Sequence, residues 1–599
     1  MRTSPRLMAA ALAVALVAST APASAQEAPT VTSHVVESFD GTPIVSTLFL
    51  PSGASDDAPV PLVLRTHGWG GTGETEVGTG TLARLLDEGY AVLTWDQRGF
   101  GCSGGTVRID DPQFEGRDVS ALIDWAVANA PVASIDGDPI VGMTGGSYAG
   151  GIQTATASID SRLDALAPEI SWADLRYSLY SGEVVNQGWV AALYAAGKAT
   201  ATLLGQSPDC PAGPQDGGLD PAIDQGVTEF ITSGTVGPDT LDFFAKSSLA
   251  SYGETDPVTV PTLVMQGSVD TLFDLTDGYR IYEHVRDQGA PARFVAFCGG
   301  HVACPDTYAD AGDRAHLDDA IVAWFARHLK GEDVATGAPI EYRTNDGEWR
   351  SAPSMPLPGA TAVPLEGQAE GLVVVPVLDI PDVEGLAGLI AVPEGIPGLP
   401  ITTSVPTAEG DPRGATFPVA VAEDGPLEIL AIPDVTVTVS GTTVPLDQAS
   451  PTAHIFVKFV HREAGEVLNL QEGAIAVDLS DGEVTVDVPM PGLAYTLPEG
   501  DHLDVQVATN SLMHASGRVP AVLDVTLAGS LPIVGTAGRP SPDEGDAVAG
   551  PADGSGDEVE PQPVSHDRPL PVTGANGSVL LGLLALSTAA LLRRRPKFA

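Results

Sequence analysis

Val141-Gly142-Met143-Thr144-Gly145-Gly146-Ser147-Tyr148-Ala149-Gly150 is the stretch whose reading decides the fold. The apolar run Pro139-Ile140-Val141-Gly142-Met143 predicts a short buried strand. It ends in Gly145-Gly146-Ser147-Tyr148-Ala149-Gly150, and the residues from Gly151 to Ala157 predict a helix. Strand, tight turn with a serine at its tip, then helix is the context a nucleophile elbow requires. Such an elbow holds its serine in a strained backbone conformation, so bulky neighbours would collide with the adjoining strand and helix. An ordinary glycine-rich turn has the same composition. Partners elsewhere in the chain must decide.

Working outward, Val31–Phe39 and Pro43–Leu50 flank an Asp40-Gly41 turn and read as a hairpin. Pro59–Thr66 and Ala91–Trp95 read as buried strands, with helices at Thr81–Gly89 and Phe114–Ala130. Beyond the elbow, Leu163–Ala167, Pro261–Gln266 and Ala292–Phe297 continue the strands. Leu275–Gln288 and Arg314–Lys330 continue the helices. Alternation over residues 27–335 implies a parallel sheet covered on both faces. Residues 172–255 interrupt it with helical patches at Val190–Leu204 and Asp239–Ser251, which read as a helical cap over the sheet. From 339 to 530, short β-rich runs between Gly, Pro and Asp turns predict a β-sandwich of jelly-roll type. Gly371–Pro412, rich in Val, Pro and Gly, fits no element. Residues 532–569 read as a disordered acidic Pro/Gly stalk.

A serine nucleophile needs a base, an acid to orient it and an oxyanion hole. On a parallel sheet these follow in the order Ser, Asp or Glu, His, each after a strand. Asp270 follows the strand Pro261–Gln266, and His301 follows Ala292–Phe297. Ser147, Asp270 and His301 are therefore the expected triad. Asp274 and Asp277 compete for the acid but fall where the next helix begins. His67 competes for the base but precedes the serine, and His284, His316 and His328 lie within helices. The expected oxyanion donors are the N–H of Tyr148 and an N–H from the loop His67-Gly68-Trp69-Gly70-Gly71, with Trp69 the first choice. Trp172, Tyr177, Tyr180, Trp189 and Phe273 are candidates to wall a substrate pocket, and Asp174 or Glu183 to hold a substrate amine. No H-E-x-x-H or paired His/Asp spacing appears, so neither metal nor cofactor is expected.

These residues carry a resemblance. G-x-S-Y-x-G at the elbow, Asp96-x-Arg98-Gly99 with Ser103-x-Gly105, Gln266-Gly267-x-x-Asp270, Gly300-His301 and a trailing β domain resemble the X-Pro dipeptidyl-peptidase/cocaine-esterase-like family of α/β hydrolases. The similarity runs from about Val31 to Leu527. It implies an α/β-hydrolase fold followed by a β-sandwich, the same triad, and hydrolysis of a small ester or peptide substrate. One departure stands out. Esterases of that family offer a tyrosine hydroxyl to the oxyanion from the loop after the early strand, where this chain has His67-Gly68-Trp69. A main-chain donor is expected instead. The alternative is a wall-displayed adhesin or binding protein on an inactive hydrolase scaffold.

Both ends read as processing signals. Residues 1–25 carry Arg2 and Arg6, an apolar run Leu7–Val17 and Ala23-Ser24-Ala25, the pattern of a secretory signal peptide. Residues 570–599 hold Leu570-Pro571-Val572-Thr573-Gly574, an apolar stretch and the basic tail Arg593-Arg594-Arg595-Pro596-Lys597. This resembles the LPxTG sorting signal of Gram-positive surface proteins. It implies cleavage between Thr573 and Gly574 by sortase and attachment of Thr573 to peptidoglycan, hence an exported, wall-anchored protein. The formal charge of −49 argues against nucleic acid as a partner. Four cysteines in an exported chain suggest two disulfides. Cys298–Cys304, bracketing Gly299-Gly300-His301, is the simplest local bond and leaves Cys102–Cys210.

Overall fold

Leu62 and Leu64 face one way from their strand and Val63 faces the other, each fully buried. The same alternation in Ala91, Leu93 and Trp95 against Val92 gives the sheet two apolar faces, and both are covered. The computed structural model describes residues 28–538 apart from 204, 309–312, 375–413, 444–451, 481 and 512. The expected signal peptide, most of the Gly371–Pro412 segment, the stalk beyond residue 538 and the sorting signal lie outside the described residues.

Ten strands form the large sheet: β1 (Thr30–Glu37), β2 (Pro43–Leu50), β3 (Leu62–Thr66), β4 (Ala91–Trp95), β5 (Val141–Gly146), β6 (Leu163–Glu169), β7 (Thr262–Gly267), β8 (Ala292–Phe297), β9 (Ile340–Arg343) and β10 (Trp349–Ala352). Their spatial order is β1-β2-β4-β3-β5-β6-β7-β8-β9-β10. From β4 to β9 neighbours run parallel, and antiparallel strands close both edges. Helices α2 (Glu115–Asn129), α3 (Tyr148–Ala157) and α9 (Leu275–Asp287) bury apolar residues on one face. Helices α1 (Thr81–Asp87) and α10 (Asp313–Leu329) do so on the other. Between β6 and β7 the chain leaves the sheet and makes α4 (Leu175–Tyr180), α5 (Gln187–Leu203), α6 (Pro221–Ser233), α7 (Pro238–Lys246) and α8 (Leu249–Tyr252). None of the described helices is long and apolar enough to cross a membrane.

The rest of the described chain is β: β11 (Thr361–Val374), β12 (Ala415–Ala422), β13 (Leu427–Ala431), β14 (Asp434–Thr443), β15 (Thr452–His461), β16 (Gly473–Asp478), β17 (Val484–Asp487), β18 (Leu493–Leu497), β19 (His502–Ala508) and β20 (Ala521–Ile533). One sheet runs β11-β20-β14-β17, and a second is built around β15, β19 and β12. Both bury apolar residues in a common core that includes Val437, Leu523, Val505 and Phe459. Two boundaries differ from those expected. Residues 340–352 extend the large sheet instead of opening the β region, because Ile340, Tyr342 and Ala352 bury their side chains in its core. Residues 532–538 are not stalk: β20 runs to Ile533, and Ala537–Gly538 pair with β12. Leu531 and Ile533 keep the inward alternation going, and Pro532, still paired with Ala362 of β11, falls past the end of the pairing with β14, so no donor is needed on that side.

Candidate active site

Ser147 sits between β5 and α3 with φ 59° and ψ −122°, a conformation a non-glycine residue adopts only when its surroundings force it. Its N–H donates to the Glu169 carbonyl at 2.9 Å, and its carbonyl accepts from the N–H groups of Gly150 and Gly151 at 2.7 and 3.1 Å. Gly145, at φ 153°, has no room for a side chain: a Cβ there would lie 2.6 Å from that of Ala149. The small residues of the elbow thus let α3 start directly beneath the serine.

His301 and Asp270 complete a relay. His301 Nε2 lies 2.7 Å from Ser147 Oγ, and Nδ1 lies 2.7 Å from Asp270 Oδ2. With Nδ1–H donating to the carboxylate, Nε2 is left to accept the serine proton. Asp270 is fully buried, and its acceptors are filled. Oδ1 takes the N–H groups of Leu272 and Phe273 at 2.9 and 3.1 Å, and Oδ2 also takes that of His301 at 3.0 Å. Gly300, at φ 129°, makes the approach possible, since a Cβ there would lie 2.5 Å from Asp270. Phe273 and Trp189 stand edge-on to the imidazole, with ring centroids at 5.2 and 5.7 Å.

The competing groups are occupied elsewhere. Asp274 caps α9 through Thr276 N–H and accepts from Tyr177 Oη at 2.7 Å. Asp277 accepts from Ala173 N–H and Ser178 Oγ at 2.9 and 2.8 Å. His67 Nε2 accepts the Gln97 N–H at 2.9 Å, so its proton is on Nδ1, which donates to the Gly68 carbonyl at 2.8 Å. Burial pushes this imidazole down to about 4. His67 is therefore a neutral brace for its loop, which runs past the serine: a Cβ on Gly68 would lie 3.8 Å from that of Ser147.

Tyr148 holds the first position of α3, where an N–H has no partner within the helix. Its phenol points inward, accepting from the Asp110 N–H at 3.3 Å. The Trp69 indole donates to the Leu193 carbonyl at 2.8 Å and packs edge-on to Tyr148, so its side chain roofs the site. Only main-chain N–H groups of the loop remain as donors there.

Above Ser147 opens a cavity walled by Trp69, Trp172, Leu272 and Phe273 and by residues of α4 to α7. Of the candidate pocket residues, Trp172, Tyr180 and Phe273 line it. Trp189 and Tyr177 do not: Trp189 donates to Thr271 Oγ1 at 3.1 Å and leans on His301. Leu179, Leu193, Ile223, Val227, Phe230 and Phe244 also line it, and nothing in their local sequence distinguishes them from cap core. Asp174 caps α4 and pairs with Arg176, and Glu183 is exposed outside the lining. Neither is free to hold an amine inside.

Two disulfides frame the site. Cys298–Cys304 closes the loop that carries His301, and Cys102–Cys210 ties the loop after β4 to the segment between α5 and α6. The β region backs the acid: Gln471 Nε2 donates to the Asp270 carbonyl at 2.8 Å, while the described lining of the cavity comes from residues 69 to 273.

Residues 40–303 match the model of the X-Pro dipeptidyl-peptidase (S15) family. Among curated proteins, the quorum-quenching protein AidA of Acinetobacter baumannii is 34% identical over 139 residues, 23% of this chain and 43% of that protein. The chain spans about two fifths of the length of the curated relatives it matches. Among solved structures, an aminopeptidase from a marine-sediment Thaumarchaeota archaeon superposes with TM-score 0.62 at 16% identity, covering 86% of this chain and 98% of the other. An alpha-amino acid ester hydrolase superposes with TM-score 0.61 at 16% identity and the same coverage. At these identities the likeness is one of fold, and it extends through the β region.

Proposed function

We propose that this protein is a serine hydrolase that cleaves a small ester or amide through an acyl-enzyme on Ser147. The reading rests on one observation, the continuous relay Ser147–His301–Asp270 with both contacts at 2.7 Å, opening on a cavity. Ser147 Oγ attacks the carbonyl carbon while His301 Nε2 takes its proton. The C–O or C–N bond of the tetrahedral adduct then breaks, and the same proton passes to the leaving group. Water, deprotonated by His301, attacks the acyl-enzyme and releases the acid. Asp270 keeps the imidazole in one tautomer and stabilises its cation. The N–H groups of Tyr148 and Trp69 receive the negative oxygen, each contributing on the order of 10²–10³ in rate.

In this reading the chain is exported by residues 1–25 and joined to peptidoglycan through Thr573 by a sortase. The family match over residues 40–303 supports peptidase or esterase chemistry. Hydrolysis of p-nitrophenyl acetate and of Gly-Pro-p-nitroanilide tests the chemistry. The wild type should turn over at least one, and Ser147→Ala should lose at least about 10⁴-fold in kcat. Turnover of neither, or equal turnover by the variant, contradicts it. Release from cells by muramidase but not by detergent tests the attachment.

A further inference from the structure

We infer that the acyl group this site accepts is uncharged and apolar, a medium-length alkanoyl or arylalkanoyl group, and not an aminoacyl or dipeptidyl group. The inference rests on the serine-hydrolase reading and adds the substrate class. The chemistry of the cavity carries it. From Ser147 the wall runs through Phe273, Leu179, Leu193, Val227 and Phe230. The lining beyond Ser147 is drawn from four helices, α4 to α7, more wall than an acetyl group could touch.

Among the described residues, Arg176 is the one charged side chain in the lining. Its guanidinium is already engaged by Asp174, through two contacts of 2.8 Å, and by Ser251 Oγ at 3.1 Å. No carboxylate lines the cavity among those residues. Of the nearby acids, Asp274 and Asp277 are committed as described, and Asp224 to Lys198 Nζ and Tyr194 Oη at 2.8 and 2.9 Å. Asp110, beside Tyr148, is fully buried with neither carboxylate oxygen hydrogen-bonded, but it lies outside the lining, and burial pushes its carboxyl well above the usual carboxylate range. After Asp270, the positions whose N–H groups hold its carboxylate are Leu272 and Phe273, and both present apolar side chains to the cavity. An α-ammonium beside the scissile carbonyl would therefore be desolvated without a counter-charge, which is strongly unfavourable. An alkyl chain in the same place loses only water. Each buried methylene should raise kcat/KM by up to about fourfold.

Two comparisons test this, with fluorophosphonate labelling of the wild type as the control for the underlying chemistry. The first sets p-nitrophenyl octanoate against the acetate, where kcat/KM should favour octanoate by at least about thirtyfold. The second sets the p-nitrophenyl ester of 3-phenylpropanoate against that of phenylalanine at pH 6, where the amine is protonated. These differ only by the ammonium, and the first should be preferred by at least about thirtyfold. Val227→Trp should lower the octanoate-to-acetate ratio at least tenfold while the protein still takes the label, which separates a filled cavity from an unfolded one. Labelling with acetate preferred, or with the phenylalanine ester as good, overturns this inference and leaves the hydrolase reading standing. Absence of both label and turnover removes both.

Discussion

Gln471 Nε2 donates to the main-chain carbonyl of Asp270 at 2.8 Å, joining residues 201 positions apart in sequence. Gln471 is buried, and it follows Asn469, whose side chain is itself tied to the main chain of Ala494. The β region is thereby built into the support of the acid, although its described residues do not face the cavity.

Gln471→Leu leaves the Asp270 carbonyl without this donor. It should cost about 1–3 kcal/mol of stability, read as a lower urea midpoint. It should also lower kcat by about tenfold with KM little changed, because the acid loosens while the cavity does not. A larger effect on KM than on kcat would place the role of Gln471 in substrate binding instead.

Glu472, the next residue, sets a pH dependence. Burial would raise its carboxyl, but Lys458, His514 and Ser511 more than reverse this and hold it down at about 2. A carboxyl depressed in the folded state contributes stability above its unfolded value, near 4.5, and that contribution is lost as pH falls toward about 2. Its size is about 3 kcal/mol at neutral pH. Glu472→Gln should therefore be destabilised at pH 7, with the gap to wild type narrowing between pH 4.5 and pH 2. A gap independent of pH would refute the assignment.

His67 is neutral near pH 7 and braces the His67–Gly71 loop, the proposed source of an oxyanion donor, through the Gln97 N–H and Gly68 carbonyl. His67→Phe should lower kcat by about 10- to 100-fold, by analogy with loss of an oxyanion donor. The pH profile of kcat/KM should keep its shape. A displaced acid limb would mean that His67 takes part in proton transfer.

Cys298–Cys304 closes a six-residue span around His301. The double replacement Cys298→Ala, Cys304→Ala should lower kcat several-fold. It should change the unfolding midpoint less than removal of Cys102–Cys210, whose loop of 108 residues constrains the unfolded chain far more. Comparison of the two double variants in urea checks the order.

The chain order of Ser147, Asp270 and His301 was legible because each follows a strand of one parallel sheet, and strand patterns are short-range. The disulfides were legible from cysteine count and spacing. What sequence left open depends on long-range packing. The apolar residues of α4 to α7 look alike whether they fill a core or wall a cavity, so Val227 and Phe230 carried no mark and Trp189 was read as lining. Gln471 lies in another sheet system, and nothing local links a glutamine there to Asp270. Pro532 made the end of β20 resemble a linker, since composition cannot tell that a proline has a partner strand on one side only.

The central claim is that Ser147 is a nucleophile activated by His301. Treatment with a fluorophosphonate probe, followed by peptide mass spectrometry, tests it most directly. The wild type should carry a single adduct on Ser147, Ser147→Ala none, and His301→Ala should label at least about 10³-fold more slowly. A wild type that stays unlabelled, or an adduct on another residue, would contradict it.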